Sequence, residues 1–157
     1  MIRSEAEYQA ARKQMDEDRA FARRQQAELE PKRYTAEQVA RGMEATLSFQ
    51  ARLAEEVDWY EKARRREIAP LANFAQVGRL LIALRLANGF SQRELADRLN
   101  VSEASVSRDE RNEYHGVTVE RAQRILEVLG ETTLTVVAGT PSSSEVPMPP
   151  SRDLIPA

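Results

Sequence analysis

The segment Ser91–Glu113 constrains the fold of this chain more than any other. It reads SQRELADRLNVSEASVSRDERNE and predicts two short helices joined by a tight turn. Ser91 followed three residues later by Glu94 is a capping box that starts the first helix, and Ser102 caps the second. The apolar positions that these two helices are predicted to bury are Leu95, Ala96, Leu99 and Val106.

Helical patterns on both sides of this pair complete a domain that we place at residues 71–130. Before it, apolar residues at spacings of 3, 4 and 3 predict one buried helix face, formed by Phe74, Val77, Leu81 and Leu84. After it, Thr118 caps a last helix and Gly130 ends that helix. We expect five helices in this domain, with the region Asp109–Tyr114 adding a short turn of helix.

Residues 1–70 predict a long antiparallel helical hairpin. Helix-forming residues dominate 2–30, Pro31 interrupts them, and Thr35 with Gln38 makes a second capping box. The sparse apolar positions that we expect on the inner faces include Tyr8, Ala11, Met15, Ala22, Leu53, Val57 and Tyr60. The last three are spaced like a coiled-coil seam. A charged, partly disordered extension is the alternative interpretation of this segment.

Residues 131–157 predict a short strand followed by a disordered tail. Leu134, Thr135 and Val136 alternate apolar and polar side chains, which is typical of a strand. From Gly139 onward the chain is rich in Ser and holds five of its seven prolines, a composition that opposes regular structure.

Composition excludes several classes of function. The chain has no cysteine and one histidine, His115, which we place in a surface turn; disulfides and thiolate metal sites are excluded, and a reducing cytoplasm is expected. There is no signal-peptide pattern, no apolar run of membrane-spanning length and no glycine-rich phosphate loop. We therefore expect a cytoplasmic protein with no membrane association, no metal and no cofactor, and an enzyme is the least favoured interpretation.

Six positions within residues 72–130 form a specific pattern, and they are Gln92, Leu95, Ala96, Val101, Val106 and Glu110. With this pattern, residues 72–130 resemble the Cro/C1-type, or XRE, family of helix-turn-helix regulators. Two positions depart from the family pattern. Asn100 stands where the turn usually carries glycine, and asparagine tolerates the left-handed conformation. Asp109 stands where an apolar residue is usual, which indicates that another segment covers it. The resemblance implies an all-α, lambda-repressor-like domain.

The resemblance also implies which side chains would meet DNA. The recognition helix would turn five residues toward base edges in the major groove, namely Ser102, Glu103, Ala104, Ser105 and Arg108. The candidate phosphate contacts, which set register rather than sequence, are Gln92, Arg93, Ser107 and Arg111. The chain carries a net charge of −2, so phosphate attraction must come from one face and a dimer is favoured.

The function that follows is a homodimeric transcriptional repressor that binds an inverted-repeat operator in double-stranded DNA. One alternative is an antitoxin that inhibits a toxin protein, because WYEKARRR before the domain and Leu129-Gly130 with a short strand resemble HigA-type antitoxins. In that sub-group the strand pairs with its copy across a dimer. A third interpretation makes the hairpin mainly an oligomerisation arm.

Overall fold

A computed structural model describes residues 1–29 and 34–135. Within those ranges the chain forms six α-helices, with a 3₁₀ turn at Phe74–Gln76. The helices are α1 (Glu5–Leu29), α2 (Ala36–Arg64), α3 (Val77–Ala87), α4 (Gln92–Leu99), α5 (Glu103–Arg111) and α6 (Val119–Leu129). The predicted all-α class is confirmed for this part of the chain.

The first two helices form the predicted antiparallel hairpin. On α1, the residues that are not fully exposed recur at alternating steps of three and four, and they are Tyr8, Ala11, Met15, Asp18, Ala22, Gln25 and Leu29. On α2 the matching positions are Val39, Met43, Thr46, Gln50, Leu53, Val57 and Tyr60. We call these fourteen residues the seam. A mean step of 3.5 residues keeps one stripe of each helix on its partner, as in a coiled coil.

Two tyrosines fix the base of the hairpin. The rings of Tyr8 and Tyr60 stack with their centroids 4.8 Å apart. The Tyr8 hydroxyl donates to Glu61 over 2.7 Å, and the Tyr60 hydroxyl donates to Glu5 over 3.1 Å. Each helix therefore supplies one tyrosine and one carboxylate to the other. Burial, with help from the Glu5 carboxylate, raises the pKa of Tyr60 above its ordinary value.

The base of the hairpin packs on the following domain. α2 runs beside α3, and the two share a continuous buried core. Arg66 lies just beyond the end of α2 and forms an ion pair with Glu131 at 2.9 Å, while donating to Asn88 Oδ1 at 2.7 Å. The Arg79 guanidinium lies over the Trp59 ring, 5.7 Å from its centroid. The hairpin and the domain thus meet along α2 and α3.

The predicted starts of α2, α4, α5 and α6 agree with the structure. Phe74, expected on the buried face of the preceding helix, is instead 75% exposed in the 3₁₀ turn before α3. The hydroxyls of Ser91, Ser102 and Thr118 each accept a backbone N–H three residues later, at 3.1 to 3.2 Å. The capping boxes of Ser91 and Thr35 are both complete. Gly130 ends α6 with φ 69°, a left-handed conformation that glycine adopts without steric cost.

The expectation of five helices in residues 71–130 is wrong. The structure has four α-helices there and one 3₁₀ turn, and the segment after Arg111 is a turn rather than a helix. Glu113, Tyr114 and Gly116 have φ values of 48°, 54° and 76°. Left-handed residues cannot continue a right-handed helix, so the chain reverses direction here instead.

The predicted C-terminal strand is not supported either. Leu134 and Thr135 follow α6 in no regular element, and the structure describes no strand in residues 1–29 or 34–135. A strand is stable only beside another strand, and no described segment offers one. The rest of the predicted strand and the Pro/Ser-rich tail lie outside the described residues. None of the described helices has the length and apolar character needed to cross a membrane.

Candidate nucleic-acid interface

The crossing of α4 and α5 forms the core of the candidate site. Ala96 on α4 is 1% exposed and Val106 on α5 is 0% exposed. A small side chain at Ala96 allows the two helices to approach closely, and Val106 fills the space between them. Leu95 and Leu99 continue the buried face of α4. The predicted core of this helix pair is therefore confirmed.

The turn between these helices depends on Asn100. Its backbone lies in the left-handed region, with φ 55° and ψ 47°. The N–H of Val101 then bonds to the carbonyl of Ala96 at 3.0 Å, which closes the end of α4. Asparagine is one of the few residues with a side chain that enters this region readily. The turn therefore keeps its geometry without the glycine usual in the family.

The outer face of α5 carries the residues predicted to read bases. Ser102, Glu103, Ala104 and Arg108 are exposed and Ser105 is half-buried. The hydroxyls of Ser102 and Ser105 lie 2.9 Å apart, and Ser102 also accepts the Ser105 N–H. Both serines therefore take part in capping the helix. This leaves Glu103, Ala104 and Arg108 as the side chains directed most freely outward.

The predicted phosphate contacts divide into two groups. Arg93 and Arg111 are exposed, whereas Gln92 and Ser107 are half-buried. The side-chain amide of Gln92 donates to Glu110 Oε2 at 2.8 Å, so it joins the start of α4 to the end of α5. Gln92 thus braces the recognition helix through Glu110. Its contact to phosphate stays a prediction.

An ion pair that the sequence analysis did not single out lies directly behind the recognition helix. Arg85 on α3 is 2% exposed and Glu110 on α5 is 0% exposed. The guanidinium donates to both carboxylate oxygens, with Nη2 to Oε2 at 2.7 Å. Its remaining donors reach the carbonyls of Phe90, at 2.6 Å, and Arg3, at 2.8 Å. Arg85 lies between Leu84 and Leu86 on the most apolar stretch of the helix VGRLLIALRLA, and this position was the signal that could have revealed a buried partner.

Two further contacts of this region were also missed. The Arg98 guanidinium lies over the Phe90 ring, 4.1 Å from its centroid, at the edge of α4. Asp109, the departure from the family pattern, forms an ion pair with Arg121 of α6 at 2.6 Å. The segment expected to cover Asp109 is therefore α6, and it meets the carboxylate with charge rather than with an apolar surface.

Tyr114 and Glu94 are among the ionisable groups of the domain whose pKa values are shifted. Burial raises the pKa of Tyr114 well above its ordinary value, and the nearby Glu110 carboxylate adds to the shift. Hydrogen bonds from the backbone N–H and then the hydroxyl of Ser91 lower the pKa of Glu94. His115 lies exposed in the turn after α5, where its Nδ1 is 2.7 Å from the Asn112 carbonyl oxygen. Among the residues that the structure describes, no cluster of His, Asp and Glu is arranged to hold a metal ion.

Comparison with known proteins agrees with this geometry. Residues 81–137 match the family model described as helix-turn-helix. The match begins within α3 and includes α4, α5 and α6, and it does not extend to the hairpin. No curated protein and no solved structure gives a significant match to the chain.

This part of the chain is therefore a helix-turn-helix domain of the Cro/C1 type. Such domains belong to DNA-binding transcriptional regulators and are not an enzyme family. The hairpin that precedes the domain has no counterpart in that family model.

Proposed function

We propose that the protein is a sequence-specific transcriptional repressor that binds an inverted-repeat operator as a homodimer. The observation that carries this proposal is the outward stripe of α5. Ala104, Arg108 and Arg111 lie at spacings of four and three residues, on the side opposite the buried Val106 and Glu110. A stripe with this spacing follows one face of a helix and fits along the floor of a major groove.

Each side chain on this stripe has a distinct role in the proposal. Arg108 makes two hydrogen bonds to O6 and N7 of a guanine, which is worth about 1–3 kcal/mol of discrimination. Ala104 packs on a thymine methyl group, and Glu103 beside it accepts from a cytosine amine. Arg111, one turn beyond Arg108, contacts a phosphate and sets the register of the helix in the groove.

Rigid support for α5 favours specific over non-specific binding. The recognition helix is held from behind by Arg85 through Glu110, and from the side by Arg121 through Asp109. Side chains on a fixed helix lose less conformational freedom when they bind bases than side chains on a mobile segment. These two ion pairs therefore hold the reading face in place before DNA binds.

A dimer follows from the charge of the domain. Residues 72–130 contain eight basic and eight acidic residues, so one copy has no net attraction for DNA. Two copies double the number of phosphate contacts, and they place two recognition helices about 34 Å apart, one turn of DNA. The operator is then an inverted repeat with half-sites at that spacing.

The experiment is a binding titration of the full-length protein on the DNA upstream of its own gene. We expect saturable, salt-sensitive binding to an inverted repeat, and at least about tenfold weaker binding to a scrambled repeat. Arg108→Ala is expected to remove that preference while Arg124→Ala, an exposed arginine on α6, preserves it. Equal affinity of the wild type for the repeat and the scrambled DNA would refute the proposal.

An antitoxin is the second candidate function. The hairpin is folded, packs on the DNA-binding domain, and exposes Phe21, Leu47 and Phe49, a surface that the recognition helix does not use. The segment WYEKARRR, which resembles HigA-type antitoxins, holds the hairpin together in this structure, because Tyr60 and Glu61 both contact α1. Co-purification of the tagged protein with the product of a neighbouring gene would favour this second candidate over a simple repressor.

A further inference from the structure

The distal half of the hairpin, residues 18–29 of α1 and 36–50 of α2, is packed more weakly than its base. Half of its seam is polar, and the seam there comprises Asp18, Ala22, Gln25, Leu29, Val39, Met43, Thr46 and Gln50. Met43 is the one residue of this set that is fully buried. Oδ2 of Asp18 is buried and has no hydrogen-bond partner among the described residues. A two-helix arm with such a seam gains little from its own packing.

Two phenylalanines of this distal half are exposed side by side. Phe21 is 52% exposed and Phe49 is 55% exposed. Each directly precedes a seam residue, and in an antiparallel pair such positions lie on the same side of the seam. The Gln50 side chain donates to the Asp18 carbonyl at 2.8 Å, and this register brings the two rings to nearly the same level. They form one apolar patch that residues 1–29 and 34–135 leave exposed.

The charges around this patch complement themselves under a two-fold rotation. Glu17 lies four residues before Phe21 and Arg24 lies three residues after it, so all three share one face of α1. If two copies of α1 cross antiparallel at Phe21, Glu17 of each copy meets Arg24 of the other. A surface that matches itself in this way fits an isologous interface.

The neighbouring face of α2 leaves room for a second helix. Gly42 and Ala45 precede Phe49 by seven and four residues and lie on its side of the helix. Among the described residues, a Cβ built on Gly42 would lie in ordinary contact with Leu29 Cδ1, at 3.8 Å, so a small side chain fits there without a clash. Small residues beside an exposed aromatic ring provide a recess into which the ring of another copy can pack.

We propose that this surface, the Phe21 face, binds a second copy of the chain and forms a two-fold, four-helix bundle. The Phe21 face consists of Glu17, Phe21, Arg24, Ala45 and Phe49. The inference rests on the proposed function, which requires two recognition helices related by a two-fold axis, and it names the surface that joins them. Burial of four phenylalanine rings removes the exposed apolar area and stabilises the weakly packed seam.

Leu47 provides a matched control. It is 51% exposed on the same stretch of α2, but it follows a seam residue and therefore lies on the opposite side of the seam from Phe49. A general loss of hydrophobic surface affects the dimer equally whether Leu47 or the phenylalanines are changed. If the dimer forms specifically through the Phe21 face, only substitution of the phenylalanines weakens it.

The first test is sedimentation velocity of the full-length protein over a range of concentrations. The wild type and Leu47→Ser are expected to be dimers. The double variant Phe21→Ser/Phe49→Ser is expected to be a monomer with unchanged helix content by circular dichroism, its dimer dissociation constant raised at least about 100-fold. A monomeric wild type, a dimeric double variant, or a Leu47→Ser variant that dissociates equally would overturn the inference.

The second test holds even if the double variant unfolds. The chain has no cysteine, so a single introduced cysteine is the only thiol that can be cross-linked, and any cross-link identifies its position. Phe21→Cys lies near the proposed axis and is expected to cross-link to its own copy with a short bis-maleimide, whereas Leu47→Cys is not. Cross-linking of Leu47→Cys with none at Phe21→Cys would place the interface on the other side of the hairpin.

A DNA measurement separates this inference from the proposed function. The double serine variant should bind a single half-site as the wild type does and lose the tighter binding to the inverted repeat. A wild type that dimerises through Phe21 but prefers no DNA sequence would refute the repressor function and support the surface. A double variant that keeps the tighter binding to the repeat would refute the surface alone.

Discussion

The guanidinium of Arg85 is bonded to the carboxylate of Glu110 behind the recognition helix, and both side chains are almost fully removed from solvent. The same guanidinium reaches the carbonyl of Arg3, in the segment that leads into α1. One side chain therefore connects the start of the hairpin, the first helix of the domain and the end of the recognition helix. The orientation of α5 depends on a charge pair as well as on apolar packing.

Removal of one member of this pair should be strongly destabilising. We expect Arg85→Met to lower the free energy of unfolding by about 3–5 kcal/mol, because it leaves the Glu110 carboxylate buried and uncompensated. The double variant Arg85→Met/Glu110→Leu should recover much of that loss, since it removes both charges. Urea unfolding followed by circular dichroism measures both. A double variant no more stable than Arg85→Met would show that packing, and not the unpaired charge, causes the loss.

Two glycines provide a contrasting pair of substitutions. A Cβ on Gly78 would overlap the backbone carbonyl of Glu113, which cannot move without displacing the turn after α5. We expect Gly78→Ala to cost several kcal/mol or to prevent folding. Gly42, inside α2, has space for a methyl group, so Gly42→Ala should stabilise the hairpin by about 0.5–1 kcal/mol. Thermal unfolding of both variants measures these opposite effects on stability. Similar melting temperatures for Gly78→Ala and Gly42→Ala would contradict this account.

The turn before α5 should tolerate glycine better than alanine. At φ 55°, Asn100→Ala places a Cβ in the left-handed region and is expected to cost about 1 kcal/mol. Asn100→Gly should be neutral or slightly stabilising, because glycine enters this region without steric cost. Chemical denaturation of the two variants tests the difference. Equal stability of the two would mean that the backbone conformation at this position is not left-handed in solution.

The capping box of α4 should make stability depend on pH. Hydrogen bonds from Ser91 lower the pKa of Glu94 below its ordinary value of 4.5 in the folded protein. A carboxyl whose folded pKa is lowered stabilises the protein above its unfolded pKa, and this contribution is lost as pH falls through the folded pKa. Glu94→Gln should therefore destabilise the protein at pH 7, and the difference from wild type should shrink as pH falls from the unfolded pKa through the lower folded pKa. A difference between Glu94→Gln and wild type that is independent of pH would rule out this linkage.

Substitution of the two arginines on the recognition helix should affect DNA binding, and its dependence on salt, in different ways. Arg111→Ala should weaken binding to operator and to random DNA alike, and lower the slope of log K against log salt by about 1. Arg108→Ala should weaken operator binding by about tenfold or more and change random binding much less. A salt titration of both variants on both DNAs measures these effects. Interchanged behaviour would assign base reading to Arg111 instead.

Local sequence signals were enough to locate the helices. The serines and threonines that cap α2, α4, α5 and α6 were recognised from their spacing to the next glutamine, glutamate or apolar stripe. The turn at Asn100 followed in the same way from one residue that tolerates a left-handed backbone. Such signals work because a cap or a turn involves atoms only a few residues apart.

The signals failed where a conformation depends on distant contacts. The region after Arg111 has helix-compatible residues, yet Glu113 and Tyr114 adopt positive φ because the chain must return over Gly78 toward α6. Leu134 and Thr135 alternate like a strand, but no described segment lies beside them to complete a ladder. Neither outcome could be read from the residues concerned alone.

The sequence by itself determined where α2, α4, α5 and α6 begin, and that a helix-turn-helix lies between Gln92 and Arg111. Only the tertiary structure decided that Arg85 pairs with Glu110, that Arg121 covers Asp109, and that Phe21 and Phe49 share one side of the hairpin. The physical reason is distance along the chain. Caps and stripes are local, whereas each of these pairings joins residues at least 12 positions apart, and their contact depends on how whole helices pack.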